Sequence, residues 1–198
     1  PVQVQGTGYV AAAAGKGHSL AVKSDGSLWA WGYNSDGALG LGTSDADAHP
    51  TPVQVGAGYT AVAAHLHSVA LKSDGSVWAW GNNQVGQVGN GTTANSVVSP
   101  TQIGTGYTAI AAGNGSTFAI KADGSLWAWG QNEYGSLGDG TTTQRSSPVL
   151  IGTGYVSIAA GNNHRVALKS DGNLWAWGYN NDGKLGNGAI DGIIPHPT

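Results

Sequence analysis

The sequence predicts an all-β protein, a β-propeller of four-stranded blades made from four sequence repeats. Three observations carry this. Trp29-Ala30-Trp31-Gly32 recurs as Trp78-Ala79-Trp80-Gly81, Trp127-Ala128-Trp129-Gly130 and Trp175-Ala176-Trp177-Gly178, at offsets of 49, 49 and 48. Two further series keep the same step: Tyr9, Tyr59, Tyr107 and Tyr155, and Pro1, Pro52, Pro100 and Pro148. Each unit alternates short apolar-periodic runs with turn signals, and four strands per unit of about 50 residues is the pattern of propeller blades. The units span roughly 1–51, 52–99, 100–147 and 148–198 and use up the chain as one array.

The first predicted strand of a unit is Pro-Val-Gln-Val or a variant: Pro1–Val4, Pro52–Val55, Pro100–Ile103 and Pro148–Ile151. Proline lacks the N–H that a ladder needs, so it suits a strand's first residue or an edge. A Gly-x-Gly turn leads to the second strand, as in Tyr107-Thr-Ala-Ile-Ala-Ala112. The third alternates, with Leu20 and Val22 on one face and Ser19 and Lys23 on the other. Asp25-Gly26, Asp74-Gly75, Asp123-Gly124 and Asp171-Gly172 then read as two-residue type I′ turns. In the fourth strand the Trp spacing of two sends both indoles to one side. The inter-blade packing layer is therefore expected to be Trp29, Trp31, Trp78, Trp80, Trp127, Trp129, Trp175 and Trp177, whose rings fill the wedge between twisted sheets. A glycine-rich loop closes each unit, as in Asn34-Ser-Asp-Gly37-Ala-Leu39-Gly40-Leu-Gly42. No helix signal and no Lys-Ser/Thr follow it, which excludes a P-loop.

Composition removes several function classes. Glycine is 34 of 198 residues, more than twice the roughly 7% that is usual, yet without the period of collagen. Eight Lys plus Arg against 11 Asp plus Glu give no basic patch, which excludes a phosphate-dominated nucleic-acid partner. Cys is absent, so there are no disulfides and no thiol chemistry. No apolar run is long enough for a helical membrane span, so no membrane insertion is expected. Met is absent even at position 1, which reads as a processed or excised chain with any signal peptide removed.

The repeat resembles that of the regulator of chromosome condensation family, in bacterial-type wording. The fourth unit shows it: Ala159-Ala160-Gly161, His164-Arg-Val-Ala-Leu168, Asp171-Gly172, Trp175-Ala-Trp177-Gly178-Tyr-Asn180, Gly183-Lys-Leu185-Gly186. All four units carry the motif. The resemblance implies a seven-bladed propeller, of which four units are a part, and it raises nucleotide exchange on a small GTPase as one activity. No loop insertion matching that activity aligns, so no exchange residue carries over.

His18, His67 and His164 share one repeat position, with Ser116 in the third unit. The resemblance implies a structural, hydrogen-bonding histidine there. Sheets pack about 10 Å apart, too far for such histidines to chelate one ion. His65 replaces the glycine of Gly15, Gly113 and Gly161 and reads as a local surface feature. Asp45 and Asp47 are a poor start for calcium, which takes six to eight oxygens. Lys23, Lys72, Lys121 and Lys169 read as solvated strand ends beside the Asp-Gly turns. No catalytic residue, metal site or cofactor emerges. The residues after each Trp-Ala-Trp-Gly, namely Tyr33, Asn82, Gln131 and Tyr179, recur on one rim and form the candidate binding set.

The sequence therefore reads as a non-enzymatic protein-interaction or structural scaffold, extracellular or at a cell surface. The alternatives are a carbohydrate-binding propeller lectin and a GTPase exchange factor. Expected partners are an unknown protein, carbohydrate in the lectin alternative, and other copies of the chain or missing blades of a longer one. The ends support the last expectation. His196-Pro197-Thr198 joined to Pro1-Val2-Gln3-Val4 spells the same seven residues as His49–Val55, where unit one passes into unit two. A chain cut in register offers an open edge, with three outcomes: a ring of four blades sealed by its own ends, a piece of a longer seven-bladed chain, or copies meeting head to tail, of which completion by other copies or by missing units is the expectation.

Overall fold

The computed structural model describes residues 1–190 and the backbone of Ile193 and Ile194; the His196–Thr198 half of the seam lies outside the described residues. The described residues are all-β, without a helix, in four antiparallel sheets. The first holds β1 (Tyr9–Ala14), β2 (His18–Lys23), β3 (Leu28–Tyr33) and β4 (Ala48–Gly56). The second holds β5 (Tyr59–Ala64), β6 (His67–Lys72), β7 (Val77–Asn82) and β8 (Ser96–Gly104). The third holds β9 (Tyr107–Gly113), β10 (Ser116–Lys121), β11 (Leu126–Gly130) and β12 (Arg145–Gly152). The fourth holds β13 (Tyr155–Ala160), β14 (His164–Lys169), β15 (Leu174–Tyr179) and the short β16 (Ile193–Ile194).

The sheets divide the repeat differently from the sequence reading. Strand order is β1-β2-β3-β4, so the Pro-Val-Gln-Val segment is the last strand of one blade and not the first of the next. Val53 pairs with Ala30 and Gln54 with Trp29. Two residues after β4 ends at Gly56 the chain enters β5 of the next blade. Pro50 and Pro52 fall inside β4, where the register slips between Ala30 and Gly32. An outer edge strand with a bulge tolerates both missing donors. Pro1–Val4, with no sheet ahead of it, lies in no strand.

The Asp-Gly turns also differ. Gly26 N–H bonds to Lys23 O, and Lys23 N–H to Ser27 O. Gly26 has φ +79°, and among the described residues none other than glycine has positive φ. A type I′ turn needs positive φ at Asp25 as well, so this is instead a type I turn closed by a left-handed glycine bulge. Asp25 Oδ1 accepts the N–H and Oγ–H of Ser27, and Ser27 Oγ accepts Trp29 Nε1–H at 2.9 Å.

The core lies between sheets. Leu20, Val22, Leu28 and Ala30 of the first blade pack on Tyr59, Ala70 and Trp80 of the second. The same set repeats as Val69, Val77 and Ala79 on Tyr107 and Trp129, then Phe118, Leu126 and Ala128 on Tyr155 and Trp177. The first strands of successive sheets pack on one another, β1 on β5, β5 on β9 and β9 on β13. Among the described residues, packing of this extent joins consecutive sheets only, so the blades form an open arc.

Candidate functional site

The first and third junctions carry a directional indole latch, and at the second the Trp129 indole is buried with no hydrogen-bond partner on its Nε1. The second Trp of a blade enters the glycine-rich loop of the blade before: Trp80 Nε1–H donates to Ala38 O at 2.8 Å, and Trp177 Nε1–H to Ser136 O at 3.0 Å. A Cβ on Gly40 would stand 2.8 Å from Trp80 Nε1, and one on Gly138 2.7 Å from Trp177 Nε1. Glycine is thus needed there to admit the indole as well as for its positive φ. Asn34 holds the loop in shape by accepting Leu39 N–H and donating to Thr43 O. Asn83, Asn132 and Asn180 repeat the first bond with Val88, Leu137 and Leu185.

The expected packing layer splits in two. Trp80, Trp129 and Trp177 are fully buried, whereas Trp29, Trp78 and Trp127 are half-buried and Trp175 is exposed. Trp31, the partner of Trp29, is only half-buried because no sheet covers its face. The four lysines are not simply solvated. Lys23, Lys72, Lys121 and Lys169 lie 4.3–5.0 Å from the ring centroids of Trp29, Trp78, Trp127 and Trp175, and each also lies over the unit's Tyr. Their ammonium groups stack on the indoles as cation–π contacts.

The repeated histidine is a cross-blade hydrogen-bonding residue. His18 Nε2 lies 2.8 Å from Ser68 Oγ, and His67 Nε2 lies 2.6 Å from Thr117 Oγ1. Ser68 and Thr117 in turn donate to Ala38 O and Gln87 O of the preceding loop, so each histidine Nε2–H is the donor to the hydroxyl. Burial is the main cause that lowers His18 to about 4 and His67 to about 3. At the third junction the pair is exchanged. Ser116 stands where the histidine was, and Arg165 stands where Ser68 and Thr117 were. Arg165 reaches back to Ser116 Oγ, donates to Gly161 O and His164 O, and lies over Phe118 at 4.8 Å. Burial lowers its guanidinium to about 9, which leaves it charged at neutral pH.

The rim residues do not converge. Tyr33 is 48% exposed and borders a cleft of about 310 Å³ between the first two blades, with Lys16, His18, Asp36, His65 and Leu66. His65 is more than a surface feature. Its carbonyl accepts Lys16 N–H across the junction at 2.7 Å, and His65-Leu66-His67 is one residue shorter than the matching Gly15-Lys16-Gly17-His18. Asn82 accepts from Gln87, and Gln131 donates to Glu133. Tyr179 meets Tyr134 at a centroid distance of 5.1 Å across the third junction, and Lys184 lies over its ring. Tyr134, absent from the sequence-derived set, is in a loop that is variable between units, so the repeat gave no signal for it.

Asp45 is committed to donors: Asn34 Nδ2 reaches Oδ2 at 2.8 Å, and His49 and Asp47 N–H reach Oδ1. A calcium ion would need those oxygens. Among the described residues no three His, Asp or Glu cluster to hold a metal, and no helix is long and apolar enough to cross a membrane.

With that geometry in place, the family profile described as an RCC1-like domain matches residues 1–198. No match was found among curated proteins. Solved structures similar in fold include three from the same family of propellers. Human WBSCR16 is 25% identical with TM-score 0.83, over 96% of this chain and 52% of its own. Prp20p from Saccharomyces cerevisiae is 25% identical with TM-score 0.84, over 100% of this chain and 52% of its own. Yeast RCC1 (Prp20) bound to Kap60 is 24% identical with TM-score 0.86, over 100% and 49%. The chain thus spans about half the length of the solved structures it resembles. The motifs, the four-stranded sheets and the profile agree, and the chain belongs to the RCC1-like domain family.

Proposed function

We propose that the chain is a non-catalytic scaffold that binds protein partners on its loop rim. One observation carries the reading. The repeated groups able to do chemistry are engaged in local contacts: His18 and His67 in the junctions, the turn aspartates with the residue two places on, the lysines on the indoles. What faces outward is an aromatic and polar surface, with exposed Tyr33 and Lys16 beside half-buried Asp36 and, further round, half-buried Tyr179 against Tyr134. Tyrosine supplies large contact area at small entropic cost and suits such a role. The low-charge surface suits an extracellular or cell-surface setting. The carbohydrate reading loses its best stacking platforms, because the second Trp of each inner pair is buried and the first lies under a lysine.

A photoreactive residue placed at Tyr33 tests the proposal. Cross-linking should yield a defined protein, and purified, that protein should bind the native chain saturably and the Tyr33→Ala variant about tenfold more weakly. Cross-links to glycan alone, or equal binding by the variant, would refute it. A second reading, exchange on a small GTPase, is favoured by the likeness to Prp20p, reported with binding properties to Gsp1p and histones. Acceleration of GDP release from purified Gsp1p by the chain would establish it.

A further inference from the structure

The first junction is open at a place that the other two fill. At the second, Val85 packs on the hairpin between β9 and β10: a Cβ on Gly115 would stand 3.1 Å from Val85 Cγ2. At the third, Tyr134 holds the repeat position of Val85 and meets Tyr179. At the first that position is Asp36, and the facing hairpin is one residue short. It has His65-Leu66 between Ala64 and His67, where Gly113-Asn114-Gly115 lie between Ala112 and Ser116. The missing residue leaves the cleft of about 310 Å³, whose walls come wholly from the first two blades. Lys16 N–H donates to His65 O at 2.7 Å and ties the two hairpins together, so the opening is preformed.

The lining is dipolar. The ion pairs among the described residues are His49–Asp45, Arg145–Asp139 and Lys184–Asp182. The Lys16 ammonium and the Asp36 carboxylate therefore line the cleft unpaired. With Lys16 stands His65, which burial and then the charges of Arg165 and Lys16 hold below the ordinary histidine range. Its ring is thus neutral. A proton on Nδ1, which is enclosed without a partner, would have no acceptor, so the ring proton is on Nε2. This end offers an ammonium and an imidazole N–H to an anion, and no carboxylate is among the charges acting on His65. Asp36 offers the opposite charge to a cation. Leu66 adds an apolar side chain where later hairpins carry Asn114 and Asn162.

Size and dipole together select the occupant. A volume of about 310 Å³ is at the lower end of the ~300–1,000 Å³ of ligand sites and suits a pair of side chains. Alternate residues of an extended chain point the same way, about 7 Å apart. We propose that the cleft takes an extended segment of a protein partner that presents an acidic and a basic side chain two residues apart, the carboxylate at Lys16 and His65 and the cation at Asp36. The inference rests on the rim reading and names the chemistry of the partner. Their aliphatic stems lie against Leu66 and the Tyr33 ring. A segment with two like charges is repelled at one end of the cleft, so the slot discriminates by the pairing of charges and not by net charge.

Three blocked pentapeptides test this: Ala-Glu-Ala-Lys-Ala and its Glu-Glu and Lys-Lys forms, titrated into the nitrogen-15-labelled chain. The mixed peptide should shift the backbone signals of Gly17, Asp36 and Leu66 with a Kd of about 1 mM, and should bind about tenfold more tightly than either like-charged form. Lys16→Glu should turn the preference to the Lys-Lys peptide and Asp36→Lys to the Glu-Glu peptide, a switch that loss of structure cannot produce. Replacing His65-Leu66 by Gly-Asn-Gly, together with Asp36→Val, closes the junction in the manner of the second and should abolish binding with unchanged circular dichroism. No shift at those residues with any peptide, the same preference in both charge variants, or binding retained in the closed variant would each overturn the proposal. A protein captured at Tyr33 that binds the closed and native chains equally would also overturn it and leave the rim reading standing. Peptide binding with the stated preferences, alongside cross-links to glycan alone, would uphold the cleft and remove the wider rim reading.

Discussion

Replacing Trp80 with Ala removes the best-packed part of a junction. The indole is fully buried against the first blade. A tryptophan buries about 150–250 Å², worth about 4–6 kcal/mol at ~25 cal/mol per Å². Measured large-to-small changes at such sites run about 3–5 kcal/mol. The lost hydrogen bond adds little, because Ala38 O keeps Ser68 Oγ–H at 2.6 Å. The expected cost is therefore about 4 kcal/mol, a large share of the ~5–15 kcal/mol that stabilises a domain. Trp78, half-buried on the same strand, should cost about 2 kcal/mol when changed to Ala, on the same area scale. Urea unfolding followed by circular dichroism measures both. A loss below about 1 kcal/mol for Trp80→Ala, or equal losses at the two positions, would refute the assignment of the second Trp as the junction residue.

Other perturbations probe the latches. His18 and His67 are held neutral, at about 4 and about 3, well below their unfolded value. As pH falls below about 6.5 the unfolded state takes up protons first, so stability should fall by up to about 1.4 kcal/mol per pH unit for each histidine, down to about pH 4 for His18 and about pH 3 for His67. It should be constant above about pH 7 as far as these groups are concerned, and His67→Gln should flatten the acid slope. At the third junction Ser116→His alone should clash with Arg165, and Arg165→Thr alone should leave a void. Together they recreate the His67–Thr117 pair, so thermal unfolding should show a favourable coupling of about 1–3 kcal/mol. Lys72→Ala removes one cation from the Trp78 face and should cost about 0.5–1 kcal/mol in the same assay.

Much of the architecture is legible in the residues. The Trp pairs, the alternating strand and the recurring histidine mark blades, face and junction, because each repeats at a fixed place. The boundary of a blade is not legible, since a cyclic repeat reads equally well from any starting point. Pro52–Val55 runs with a two-residue step from the outer edge of one sheet into the next, so periodicity alone cannot say which sheet it joins. The Asp-Gly dipeptide suggests a type I′ turn, yet Ser27 draws Asp25 into another shape through two hydrogen bonds. The lysine stacking was hidden because Lys23 and Trp29 meet only through cross-strand register. Arg165 was unreadable for a related reason: its meaning comes from Ser116, 49 residues away. The rim was the least legible, because Tyr134 and Tyr179 meet across two loops of differing sequence.

Deuterium exchange of the eight indole N–H groups, resolved by nitrogen-15 NMR, tests the directional junction most directly. The indoles of Trp80, Trp129 and Trp177 lie inside junctions, and those of Trp29, Trp78, Trp127 and Trp175 lie on the partly wet outer side. Trp80, Trp129 and Trp177 should exchange slowly and the outer four quickly. Equal exchange at Trp78 and Trp80, or a slow outer set with a fast inner one, would contradict the account.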